Sequence, residues 1–346
     1  MGDNNIMGDN NLKPIVGKSP VLTERKIREE QEIRRQRRIK AQKRKKMQQI
    51  KAVATLTMFL CIIAFGIGAI VYLVTGDTEK NGDNIVNGND TEPVISEDSY
   101  VTALDISPSD YIYDCSDTEV LGKLSGKAEK NKIIKYIYDN YKAYPDDVLK
   151  AVANNSEVAD FAVKYPVEIK KEHEKVLSVE GMYKEGEMPL FIQWDDKWGY
   201  YPYGEDVMGI SGCGPTCLSM VMVALTGKNQ YTPTAMADFA MENGYYYNGA
   251  GTTWDLFNEG VAKLGLSCRT VGLSETSMAA ALENGEYLIL SMSPGIFTAV
   301  GHYIVIYGYE DGEFLVKDPN SQIRSKTTYK YEAFKDQIKN IWAIGI

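Results

Sequence analysis

Residues 188–346 predict an α+β fold in which one apolar helix packs on a mainly antiparallel sheet. Three observations lead there. ISGCGPTCLSMVMVALTG, residues 210–227, sets Leu218, Val221, Met222 and Leu225 at i, i+3, i+4 and i+7, the period of one buried helical face. Stretches at 286–292, 301–309, 313–318 and near 341–345 are short, rich in β-branched and aromatic residues, and bounded by turn residues, as strands are. Between the two, Thr232-Pro233, Thr252 and Ser274 start helices that Gly244, Gly265 and Gly285 stop.

Upstream, the chain changes character repeatedly. The first 23 residues are polar and open with MGDNN twice, at 1–5 and 7–11, without apolar period, the pattern of a disordered tail. Ile6 stands where myristoylation of Gly2 would need Ser or Thr, so no lipid is implied. Residues 24–51 are densely basic with good helix propensity, which suits a nucleic-acid-binding arm or a juxtamembrane segment held by anionic lipid. Residues 52–74, AVATLTMFLCIIAFGIGAIVYLV, favour the second reading: this uncharged apolar run is long enough to cross about 30 Å of hydrocarbon as a helix.

Charge supplies the orientation. Residues 1–51 carry 15 Lys and Arg against 6 Asp and Glu, a balance of +9, whereas residues 75–346 carry 23 against 41, a balance of −18. The positive-inside rule therefore puts 1–51 in the cytoplasm and the acidic remainder outside, with 52–74 as a signal anchor of a single-pass membrane protein. The acidic balance also excludes nucleic acid as the partner of the folded part. Residues 75–125, rich in Asp, Asn, Gly, Ser and Thr, read as a stalk. Residues 126–180 read as a helical lead-in of three short helices: Ile133, Ile134, Ile137, Tyr138 and Tyr141 share a face, Pro145 opens a second helix, and Ser156 caps a third. No oligomeric state is specified.

Chemistry-bearing residues are few. Five cysteines and two histidines contain no Cys-x2-Cys pair, so no metal site is expected. Cys213 sits between Gly212 and Gly214 at the start of the predicted helix, where the positive end of the helix dipole favours a thiolate. Cys217, between Thr216 and Leu218, reads as core. His173, in KKEHEK, reads as part of a solvated helix face. His302, in the strand GHYIVIYGY, is the imidazole placed for general-base work, although a core role would suit the same pattern.

Asp318 ends the next strand. A three-residue Glu310-Asp311-Gly312 loop would set Ile304 opposite Asp318 and place His302 and Asp318 on one face as diagonal neighbours. A two-residue Asp311-Gly312 loop would put them on opposite faces unless a bulge restored the parity. Gln193, twenty residues before Cys213, is uninformative alone. The YYYNGAG loop at 245–251, with Trp194 and Trp198, is a candidate groove lining or ordinary packing.

Taken together, a Gln ahead of a Cys-Gly at a helix start, Gly-His-Tyr on one strand and Asp-Pro closing the next resemble the papain-like bacteriocin-processing (double-glycine leader) peptidases. Their stand-alone relatives without a transporter look closest. The likeness spans about residues 188–346, and the lead-in from Tyr144-Pro145 to Tyr165-Pro166 is similar to what precedes such domains. It implies a papain-like cysteine peptidase fold acting on a peptide or protein, with no cofactor. By that resemblance Cys213 is the nucleophile, His302 the base, Asp318 the orienting group and Gln193 the oxyanion donor. Gly212 replaces the Asp usual before Cys-Gly in transporter-linked relatives, and no phosphate-binding loop follows. Two rival readings are a wall-peptide amidase or transpeptidase on the same triad, and a catalytically idle papain-like module that binds peptide or cell-wall material.

Overall fold

The computed structural model describes residues 112–249 and 251–346. The predicted tail at 1–51, apolar run at 52–74 and most of the stalk lie outside these residues. Among the described residues no helix is long and apolar enough to cross a membrane.

The lead-in begins earlier than expected. Residues 118–125, assigned to the stalk, belong to helix α1, Thr118–Ala128, because Asp117 caps it through the backbone N–H groups of Glu119 and Val120. Asn131 caps α2, Lys132–Asp139, in the same way. Pro145 precedes α3, Asp146–Asn154. Asn155, not Ser156, caps the next turn, a 3-10 segment at Ser156–Val158 that runs into α4, Ala159–Glu168. Beyond α4 the chain is irregular, so His173 stands in no helix; its ring lies 5.4 Å from that of Tyr200 and its Nε2 bonds Glu168 O.

These helices enclose their own apolar cluster around Leu124, Ile134, Ile137, Leu149, Val152 and Phe161. Two residues from the following domain, Tyr200 and Val207, complete it. Phe161 stacks on Tyr200 at 4.6 Å, and the Tyr200 hydroxyl donates to Phe161 O. The lead-in therefore shares its core with its neighbour, as a segment with little apolar surface of its own must.

After the two-residue strands β1, Pro202–Tyr203, and β2, Asp206–Val207, the short helix α5, Met208–Ser211, leads into α6, Cys213–Thr226. Every residue from Gly214 to Val223 is buried, so α6 is enclosed on all sides where the period suggested one apolar face. Gly227, at φ 65°, stops it in the left-handed conformation. Helix α7, Pro233–Glu242, follows its Thr232 cap as expected. Thr252 does not start a helix: it lies in β4, Gly251–Thr252, paired with β3, Tyr246–Tyr247, and the chain becomes helical only in a π-turn at Leu256–Gly260 and α8, Val261–Lys263.

The main sheet is antiparallel throughout, with strands β5, Ser267–Thr270; β6, Tyr287–Met292; β7, His302–Glu310; β8, Glu313–Lys317; β9, Thr328–Tyr329; and β10, Ile338–Gly345, in the order β5-β10-β6-β7-β8-β9. Helix α9, Glu275–Glu283, with Ser274 as its cap, and the small α10, Tyr331–Phe334, complete the domain. Alternation sorts the sheet's side chains into two cores. Ile289, Tyr303, Val305 and Trp342 join Leu218, Val221 and Met222 of α6, whereas Leu288, Leu290, Ile304, Ile306 and Phe314 join Met278 of α9.

The β7–β8 hairpin departs from the expected loop. It closes through the two-residue Asp311-Gly312 turn, both at positive φ, 51° and 82°, with Glu310 paired to Glu313. A two-residue turn with both residues at positive φ matches the right-handed twist of the flanking strands. Tyr307 is then passed over: Gly308 pairs with Leu315, but Ile306 pairs with Val316 and Val305 with Lys317. This bulge restores the parity that the short turn reverses.

Candidate active site

Cys213 is the first residue of α6, next to Gly212, which offers no side chain to cap the helix. The first-turn N–H groups thus face the sulfur's surroundings without a side-chain competitor. A methyl group on Gly214 would come within 2.6 Å of Thr252 Oγ1, so only glycine lets β4 approach the nucleophile's flank. Thr252 is held there by the Tyr203 hydroxyl at 2.7 Å and by the Tyr303 hydroxyl, which donates to its carbonyl at 3.0 Å. Cys217 is fully buried, and desolvation raises its pKa well above the ordinary thiol value. Of the two thiols, Cys213 is the partly exposed one.

His302 opens β7 and is buried, with Nε2 2.7 Å from Asp318 Oδ1. Its ring also lies near enough to Cys213 to interact with it electrostatically. With Nε2 turned to Asp318, Nδ1 is the ring nitrogen left for the sulfur. Burial opposes charge on the imidazole, but the Asp318 charge and hydrogen bond, with Cys213 on the other side, outweigh it and raise the pKa to about 9.

Asp318 is wholly buried just past β8 and is engaged at both oxygens. Oδ1 accepts from His302 and from Asn320 N at 2.8 Å, and Oδ2 accepts from Arg324 Nε at 2.5 Å. Its own N–H donates to Ser325 Oγ at 2.8 Å. Burial would raise the carboxyl pKa; His302 and Arg324 outweigh burial and hold it below the ordinary value.

Gln193 is buried beside the same loop, its backbone N–H donating to Pro319 O at 2.7 Å. Its side-chain amide is not aimed as a free donor. Nε2 donates to Gly209 O at 2.9 Å and to Ile210 O at 3.4 Å, while Oε1 is buried without a partner among the described residues. Of the candidate groove aromatics, Trp198 and Tyr245 are core residues and Tyr247 is exposed.

Sequence reasoning missed Arg324, which pairs with Asp318 from six residues downstream, and Thr252, assigned to a helix start. It also missed Asn155 and Glu157, which reach the Asp318 loop from the lead-in. No local pattern marks any of these.

Residues 186–344 match the model of the Peptidase_C39 like family. The matched C39-like domain takes in α6 and the main sheet and begins after the lead-in helices. The match supports a papain-like cysteine peptidase in general. Among solved structures, similarity extends to the peptidase domain of Streptococcus ComA, a bifunctional ABC transporter involved in a quorum-sensing pathway, at 22% identity over 39% of this chain and 91% of that one, TM-score 0.31. The Streptococcus mutans ComA peptidase domain in complex with a small-molecule inhibitor is 18% identical over 47% and 100%, TM-score 0.29. A Bacillus anthracis protein assigned to the C39-like peptidases is 14% identical over 47% and 96%, TM-score 0.32. No curated protein matches the chain.

Proposed function

We propose that the C39-like domain is a cysteine peptidase in which Cys213 is the nucleophile, His302 the base, Asp318 the orienting carboxylate and Gln193 an oxyanion donor. The observation that carries the reading is the imidazole of His302, 2.7 Å from the Asp318 carboxylate and within electrostatic reach of Cys213. A ring with a pKa near 9 is imidazolium at neutral pH, the form that hands a proton to a leaving group.

The thiolate sulfur attacks the scissile carbonyl carbon, forming a C–S bond as the carbonyl electron pair moves to oxygen. The oxyanion is met by the Cys213 N–H and by the Gln193 amide, which gives up its weak 3.4 Å contact with Ile210 O. Collapse breaks the C–N bond, and imidazolium gives its proton to the leaving amine. Water, deprotonated by His302, then hydrolyses the thioester. Asp318 keeps the ring in place throughout and stabilises its charged form.

The uncharged run at 52–74 and the +9 to −18 charge asymmetry support a single-pass anchor, with residues 1–51 in the cytoplasm against anionic lipid and the peptidase domain outside the cell. The substrate on this reading is an extracytoplasmic peptide or protein.

Alkylation of the intact protein by iodoacetamide, followed at the Cys213 peptide by mass spectrometry, tests the chemistry. Cys213 should react rapidly at neutral pH and lose that reactivity in His302→Gln; equal rates would remove the nucleophile. Gln193→Ala should slow turnover of a peptide pool by about 10²–10³-fold, the effect of losing one oxyanion donor. Unchanged turnover would remove the oxyanion role.

A further inference from the structure

The Asp318 loop is held from outside the C39-like domain. Glu157, in the 3-10 turn before α4, accepts from Gln322 N at 2.8 Å and from Ile323 N at 3.2 Å through Oε2, while its Oε1 accepts from Ser321 Oγ. Asn155 Nδ2 donates to Asn320 O at 2.5 Å, and Trp194 Nε1 reaches the same carbonyl at 3.3 Å. Four consecutive residues, Asn320 to Ile323, thus depend on two lead-in side chains.

The connection continues to the chemistry. Ser321 Oγ, which donates to Glu157, accepts from Arg324 N at 3.0 Å, and Arg324 Nε in turn holds Asp318 Oδ2. The same lead-in segment touches the nucleophile's side: a methyl group on Gly209 would meet the Phe161 ring at 2.4 Å, and Gly209 O is the acceptor for the Gln193 amide. One short stretch, residues 155–161, therefore contacts both the Asp318 loop and the turn that precedes Cys213.

We infer that Glu157 is a positioning residue for Asp318, acting through Ser321 and Arg324, so that the helical lead-in is a working part of the catalytic site although it lies outside the matched domain. This rests on the proposed Cys213–His302–Asp318 chemistry. A carboxylate is suited to the task because it accepts two backbone N–H groups and a hydroxyl at once, and charge strengthens each bond. The other titratable or charged groups bearing on Asp318 are His302 on β7, Arg324 in its own loop, Cys217 on α6 and Tyr329 on β9. Releasing Glu157 leaves all of these in place and loosens only their frame.

The test compares full-length wild type, Glu157→Gln, Ser321→Ala, His302→Gln and Val152→Ala by the pH dependence of Cys213 alkylation and by melting temperature. Val152 is fully buried in the lead-in core and serves as the purely structural control. Glu157→Gln should slow alkylation at neutral pH about tenfold, the size of one hydrogen bond to a charged group, and move its rise toward alkaline pH. Ser321→Ala, which removes both bonds of the Ser321 hydroxyl but leaves Glu157 its two backbone N–H partners, should act in the same direction by about threefold. Val152→Ala should lower the melting temperature and leave the pH profile where wild type has it. A wild-type profile in both Glu157→Gln and Ser321→Ala would overturn the inference, as would a Val152→Ala profile displaced like that of Glu157→Gln. If wild type and His302→Gln alkylate alike, the triad itself fails, and the inference falls with it for that separate reason.

Discussion

The capped helix starts of the lead-in and the start of α6 in the C39-like domain use helix ends in opposite ways. Asp117, Asn131 and Asn155 each give a side-chain oxygen to the exposed N–H groups at a lead-in helix start, which closes those ends and leaves them chemically quiet. Helix α6 begins at Gly212 with no side-chain cap, is buried along most of its length, and presents its start to Cys213 and His302. A helix whose sides are sealed by packing does not need a cap for stability, so its N-terminus is available for chemistry. The two regions meet at Phe161 and Glu157, and their contrast can be tested there.

The largest effect expected is catalytic. Asp318→Asn should reduce turnover on the order of 10⁴-fold, because an amide cannot stabilise the imidazolium as the carboxylate does. A loss below tenfold, measured in protein that still melts cooperatively, would mean that the Asp318 loop serves the fold alone.

Next comes the shared core. Phe161→Ala removes a ring packed on Tyr200 and against Gly209 and should cost about 3–5 kcal/mol. All four tryptophans, Trp194, Trp198, Trp254 and Trp342, lie after the lead-in, so fluorescence reports the C39-like side, whereas far-ultraviolet dichroism reports the helices of both regions together. Coincident melting curves, both shifted, are expected. Two separated transitions would show that the lead-in folds apart and would end its claim on the site.

The smallest effect is the pH dependence of stability. His302 has a folded pKa raised from 6.5 to about 9: burial opposes this, and Asp318 and Cys213 outweigh it. Its contribution is therefore complete below pH 6.5 and lost as pH rises through about 9. Asp318 is lowered from 3.8, burial again being outweighed by His302 and Arg324, so its contribution holds above that value and disappears as pH falls below it. The melting temperature should be highest between these limits and decline on the alkaline side, and His302→Gln should flatten that decline. An unaltered alkaline slope in the variant would remove His302 as its source.

Much of this architecture was legible in the chain. The start of α6 at Cys213 and its stop at Gly227, the caps of α7 and α9, and strands β6, β7, β8 and β10 all follow from signals a few residues long. Such signals act through the local backbone, which is why reading them needed no knowledge of neighbours. The pairing of His302 with Asp318 was legible only conditionally, since it depended on loop length.

Sequence alone determined which residue types stand at the ends of α6, β7 and β8, because glycine stops, caps and strand periods are properties of adjacent residues. Tertiary structure decided the rest. The short Asp311-Gly312 turn was compatible with a paired His302 and Asp318 only because packing along β7 admits a bulge at Tyr307. Arg324 and Glu157 entered the site through contacts that no periodicity encodes, the bond from Glu157 to Ser321 spanning 164 residues of chain. Bonds that distant form only once the lead-in core and the sheet have brought their backbones together, and so they are a consequence of the fold rather than of any local pattern.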